Sequence, residues 1–235
     1  MGRIAVDVVL LPDEAMTNKA IEVNAKLVGT WLDFAHHGEQ FGLGLTAEGL
    51  VEPFGRKIVL NNDNCLPHIS LAMGCIDERD VAAIEKVLIA IAEQYTTRQG
   101  GACRSTIGQL QILGIHTSIN SRGETVSVFE VEKTRELQTL HEKVMEKVQP
   151  YFSNIVTSDM IYGDEEVAET TLEWIRSYRE KAGFARFSPH ITIGYGQAQE
   201  QGFPIKFTAS KLALCRLGNH CTCRKILVSI ELKKT

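Results

Sequence analysis

The stretches PHISLAMG (residues 67–74) and PHITIGYG (residues 189–196) match as proline, histidine, isoleucine, hydroxyl residue, branched aliphatic, two variable residues and glycine. The second half of the chain echoes the first, and the fold has to place both copies. Side chains alternate along an extended strand. His68 and Ser70 therefore share one face while Ile69 and Leu71 share the other, and His190 with Thr192 opposes Ile191 with Ile193 in the same way. The aliphatic face belongs to a core. The imidazole and hydroxyl project together from a rigid element, a spacing suited to gripping two oxygens of one phosphate. A bare His-x-Ser/Thr has no such weight, since composition alone yields about one by chance and the chain has four. The other two, His116–Ser118 and His220–Thr222, lack the preceding proline and the following isoleucine and do not count as copies.

Outward from the motifs, apolar periodicity switches between 2 and about 3.6, the mark of strands mixed with helices. Ile4 to Leu11 reads as a strand that stops at Pro12–Asp13, and a helix follows to about Val28. The glycine-rich stretch from Gly38 to Gly55 reads as an ordered loop or hairpin. Asp77 caps a helix whose apolar face carries Val81, Ile84, Val87, Leu88 and Ile91. QLQILGIHTSI and ETVSVFEV form a hairpin across Asn120 to Gly123. Helices are expected from about Thr134 to Val148 and from Asp164 to Lys181, with FTASKLALCRL and KILVSIEL as closing strands. Hairpin-spaced strands with helices packed outside them point to an α+β fold rather than a doubly wound parallel sheet.

With 235 residues, 44% of them hydrophobic, the chain is long enough to bury a full core. No apolar run reaches the ~18 residues of a membrane span, and Asp7 interrupts the first one. No membrane partner is expected. Six dispersed cysteines without a regular spacing read as reduced thiols in a cytoplasm. A net charge of −4 argues against coating long or duplex nucleic acid. Residues 181–235 nevertheless hold nine Lys or Arg against two Glu, either a patch that draws an anion or ordinary solvated surface. The run His220-Cys221-Thr222-Cys223 lacks the spaced pairs of a zinc site, so no metal is expected. His36–His37 reads as exposed loop, and Trp174, Tyr178 and Phe184 as packing residues. Phosphate-loop and dinucleotide glycine signatures are absent, and no cofactor is expected.

Histidine titrates near neutrality, so one ring can accept a proton while another donates one. With His68 and His190 across one cleft, the neutral ring would deprotonate water or a ribose hydroxyl and the charged ring would protonate the leaving oxygen. Ser70 and Thr192 would bind the non-bridging oxygens. A phosphodiester or cyclic phosphate fits this scheme, and which histidine is the base stays open.

At these residues the chain resembles the 2H phosphoesterase superfamily, whose signature is two His-x-Ser/Thr-aliphatic motifs. His68-Ile69-Ser70-Leu71 and His190-Ile191-Thr192-Ile193 fit both, and the order of strands and helices around them is similar over most of the chain. The resemblance implies a single two-lobed domain over residues 1–235, with pseudo-twofold symmetry, two antiparallel sheets lining a central cleft, helices outside, and metal-free catalysis. The motifs stand wider apart than is usual, and the excess is assigned to an additional helix around 164–182. Where ligase-like members often carry an arginine five residues after the second histidine, this chain has Tyr195. Strict alternation turns Tyr195 to the core, so a place in the cleft requires a bulge at Gly194. The expected activity is that of a monomeric cyclic phosphodiesterase or 2′-5′ RNA ligase-like hydrolase. Its partner is a nucleotide or short RNA with a 2′,3′-cyclic phosphate or 2′-5′ linkage. The alternatives are a non-catalytic binder of a nucleotide or RNA end in the same cleft, and an RRM-like module, which lacks its aromatic strand signature.

Overall fold

The computed structural model describes residues 2–37, 58–96, 107, 109–120, 122–153 and 155–232. The elements are β1 (Arg3–Pro12), α1 (Glu14–His37), β2 (Ile69–Asp77), α2 (Val81–Thr96), β3 (Gln109–Ile119) and β4 (Thr125–Val131), followed by α3 (Arg135–Val148), α4 (Glu169–Ala182), β5 (His190–Tyr195), β6 (Ile205–Leu217) and β7 (Cys223–Glu231). Every strand pairing is antiparallel, and the fold is of the α+β class.

The hydrogen-bonded path runs β2-β1-β6-β3-β4-β5, with β7 beside β6. The long strand β6 joins the two halves. Ile205 to Thr208 pair with β3, and the residues from Ala209 onward pair with β1 and β7. Asp13 pins this crossing, because its Oδ2 accepts from Thr208 N at 2.7 Å and Thr208 Oγ1 at 2.9 Å, while its Oδ1 caps α1 through Met16 N at 3.0 Å. The two motif strands, β2 and β5, stand at opposite ends of the path. In a flat sheet five strand spacings would hold them about 24 Å apart. They approach within 8 Å, Cα to Cα, so the sheet curls until its ends meet.

Burial follows the motif pattern. Ile69, Leu71, Ile191 and Ile193 are all 1% exposed or less. Each such side chain contributes about 1.5–3 kcal/mol on burial, which holds both motif strands face-down on the core.

Element boundaries differ where tertiary contacts intervene. Helix α1 continues to His37, so His36 and His37 lie in its last turn rather than in a loop. Helix α4 starts at Glu169, not Asp164, because buried Asn219 takes Ala168 N at 3.0 Å and Thr171 Oγ1 at 2.9 Å and fixes where the first turn begins. Asp77 caps a single 3-10 turn, Glu78–Asp80, that leads into α2. The glycine-rich stretch 38–55 lies outside the described residues. No described helix is long and apolar enough to cross a membrane.

Helix α1 meets β5 through Asn24, a buried side chain that donates to Ile193 O at 2.8 Å and Ile58 O at 2.9 Å and accepts from Leu60 N at 2.9 Å. Replacing it by alanine strands three buried backbone groups. Asn24→Ala is expected to lower unfolding stability by about 3 kcal/mol, read as a shift of the urea midpoint with an unchanged slope.

Candidate functional site

Each motif strand departs from regular pairing at the same place. In β2, Ser70 pairs with Val9 and Ala72 with Val8, so Leu71 is an extra residue; in β5, Thr192 pairs with Val128 and Gly194 with Ser127, so Ile193 is extra. Such a bulge resets the alternation. Met73 then shares the face of Ser70, and Tyr195 that of Thr192. The bulge required at Gly194 is present, one residue earlier, and Gly194 adopts φ +156°, a conformation that favours glycine. It brings the Tyr195 ring into the groove beside His190 and Thr192.

The prolines have a matching physical role. A residue before proline is pushed into extended geometry, which turns the carbonyls of Leu66 and Ser188 towards the histidines two residues on. His68 Nδ1 lies 2.7 Å from Leu66 O, and His190 Nδ1 lies 2.8 Å from Ser188 O. A carbonyl only accepts, so Nδ1 carries the proton in both rings. Nε2 is left for proton transfer in each. His68, Ser70, His190 and Thr192 line one cavity of about 80 Å³, together with Tyr178 and His220. It opens into a groove of about 620 Å³ that shares His190, Thr192, Trp174 and His220 with it.

Burial lowers the pKa of His68, and the neighbouring charge of His190 lowers it further. Burial likewise lowers that of His190, with an added push from His116. Two charged rings at once are disfavoured here.

Three neighbours of the site escape the linear motifs. His116, excluded by its flanking residues, pairs with Val128, which pairs with Thr192, so the register sets it on the same face, where it lines the groove. His220 takes φ +57°, and its Nδ1 lies 3.0 Å from Tyr195 Oη. Burial raises the Tyr195 hydroxyl to about 12. Asp7, read from sequence only as an interruption of an apolar run, is fully buried, and Ser70 Oγ lies 2.5 Å from its Oδ2. His68 Nε2 lies 3.8 Å from the same oxygen. Its one sequence signal was a carboxylate among core-facing aliphatics. Tyr178 is buried packing, as expected, and its hydroxyl reaches Ser70 O at 3.4 Å. Trp174 is more than packing, because it lines both cavities.

Among the described residues, no cluster of three His, Cys, Asp or Glu side chains is placed to hold a metal ion, and the described cysteines form no disulfide. Compared with protein-family models and with curated proteins, the chain matches none.

A buried histidine on α3 supports the approach to the second motif. His141 Nε2 accepts from Phe184 N at 2.8 Å, and the ring stacks on Phe187 at 4.0 Å. Burial pulls its pKa from 6.5 to about 4, against the favourable backbone of Leu71. The neutral ring is therefore the folded form. Its contribution is complete above pH 6.5, fades as the pH falls through that value, and is gone below the folded pKa of about 4. Between pH 7 and pH 4 the wild type is expected to lose up to about 3 kcal/mol more stability than a His141→Gln variant, as urea unfolding at both pH values would measure.

Proposed function

We propose that the chain is a metal-independent phosphodiesterase of the 2H type, acting on a 2′,3′-cyclic phosphate or 2′-5′ phosphodiester of a nucleotide or short RNA. The observation that carries this reading is the convergence of two half-sites built alike. Each has a proline-oriented imidazole, a hydroxyl two residues on and a bulge after it, and both open on one cavity.

With both Nδ1 atoms committed to carbonyls, each ring keeps its Nε2 for proton exchange with a phosphate bound in the cavity that both rings line. The unprotonated Nε2 takes the proton of water or a ribose hydroxyl, and the protonated Nε2 gives one to the leaving ribose oxygen. Mutual repulsion supports this division, since it favours one proton shared between two rings over two. Ser70 and Thr192 donate to the non-bridging oxygens, where charge grows in the transition state. The small cavity fits a phosphoryl group, and the adjoining groove has room for the nucleoside, with Trp174 and Tyr195 along its walls.

A two-lobed, pseudo-twofold arrangement with two sheets lining a cleft belongs to the same reading. Its support is the equivalence of the β1–β2 and β4–β5 pairs, bulge for bulge, on either side of β6.

His68→Ala and His190→Ala are each expected to lower kcat by about a thousandfold on 2′,3′-cyclic mononucleotides, 2′-5′ dinucleotides or cyclic-phosphate-ended RNA, with EDTA leaving the wild type unaffected. A protein that binds these ligands without turning them over is instead a nucleotide or RNA-end binder. Because both free-enzyme imidazoles lie below 6.5, kcat/KM should peak on the acid side of that pH and decline above it.

A further inference from the structure

The two half-sites differ in what stands across from the residue after the bulge. Met73 and Tyr195 occupy the same place in their motifs; the cross-strand partner of Tyr195 is Val126, and that of Met73 is Asp7. Thr192 thus has Val126 and Val128 on the neighbouring strand, while Ser70 has a carboxyl at 2.5 Å. A contact this short between two oxygens is a strong hydrogen bond, and its direction depends on which oxygen holds the proton. No donor meets Asp7 Oδ1 in good geometry among the described residues.

Resting on the reading of this cavity as a phosphoryl site, we propose that Asp7 is a positioning residue that sets which way the Ser70 hydroxyl points. Protonated, Asp7 donates from Oδ2 to Ser70 Oγ, and the Ser70 proton is free for a phosphoryl oxygen. Ionised, Asp7 has released its proton to solvent and accepts from Ser70 Oγ, which then offers the phosphoryl group a lone pair instead of a donor. Ionised Asp7 also adds a negative charge beneath an anion.

Burial favours the protonated, donating form. Burial raises Asp7 well above its ordinary value of 3.8, outweighing its hydrogen bonds from Ser70 and the Ala72 backbone. The titratable groups that face it are His68 from the β2 side, Tyr178 from α4, Cys221 from the turn before β7, Cys223 on β7, and its register partner Cys215 on β6. Of these only His68 becomes a cation, and its own pKa is lowered. Asp7 therefore has no permanent positive partner to offset the cost of ionising in its buried site.

The test is binding of inorganic sulfate, which stays a dianion from pH 6 to pH 8.5, followed by NMR titration of the imidazole resonances. Comparing proteins at one pH cancels the titration of the histidines. At a pH below the Asp7 midpoint, read from its carboxyl 13C resonance, Ser70→Ala is expected to weaken sulfate binding about tenfold, and above that midpoint by less than about twofold, because Ser70 has then turned to Asp7. In the Asp7→Asn background, where an amide can donate at every pH, Ser70→Ala should weaken binding about tenfold at both. An effect of Ser70→Ala that is equal at both pH values in the wild-type background overturns the proposal, as does an Asp7→Asn background that keeps the pH dependence, or no sulfate binding at all. The comparison of wild type with Ser70→Ala decides the matter even if Asp7→Asn does not fold. Turnover of cyclic nucleotides with a pH-independent serine effect sinks this inference alone. The predicted sulfate pattern without turnover sinks the phosphodiesterase reading and leaves this one standing.

Discussion

The site depends on one constraint of extended chains, that neighbouring side chains point to opposite faces. A motif that puts histidine and hydroxyl on one face sends the next alternate residue there too, and the one after it to the core. The extra residues at Leu71 and Ile193 break that rule once in each strand and bring Met73 round to the cavity and Tyr195 to the adjoining groove. A bulge leaves backbone groups outside the ladder, and buried backbone groups need partners. At Ile193 the partner is Asn24 on α1, whose amide also gathers Ile58 and Leu60. The strand irregularity, the helix that packs on it and the chain that leads into the first motif are thereby one hydrogen-bonded unit.

Similar half-sites would leave the two imidazoles chemically alike, and the acid–base chemistry proposed for them needs them to differ. Their neighbours supply the difference. His68 has a buried carboxyl within 3.8 Å, whereas His190 has His116 across the strands, whose charge opposes its own. At buried positions such differences act with less screening than at the surface. A sheet that curls until its end strands meet is what allows two sequence-distant rings to share this environment at all.

Burying Asp7 runs against folding. A carboxyl without full hydrogen bonding in a core strand carries a desolvation cost that a valine, the residue at the equivalent place in β4, avoids. Local rules are broken in the same neighbourhood by His220 and Cys221, both with positive φ, held by the Asn219 network that also anchors α4. Positive-φ turn residues and a buried carboxyl oxygen without a partner thus both stand beside residues that line this cavity, a cost to folding of the kind that functional sites carry.

Much of this was legible in the residues themselves. The paired motifs, the antiparallel α+β class, the burial of Ile69, Leu71, Ile191 and Ile193, and the need for a bulge before Tyr195 all follow from periodicities and from local chemistry that acts over a few residues. The start of α4 did not follow, because a capping partner about fifty residues away, Asn219, outranks local propensity. Nor did the site's other members. His116 joins through two strand registers, His220 through a strained turn, and Asp7 through a neighbouring strand sixty-three residues from Ser70 in sequence. The sequence determined which side chains each strand would present. Only the tertiary structure decided what would stand opposite them, since cross-strand partners are set by register and by the curl of the whole sheet, and neither is encoded within a single stretch of chain.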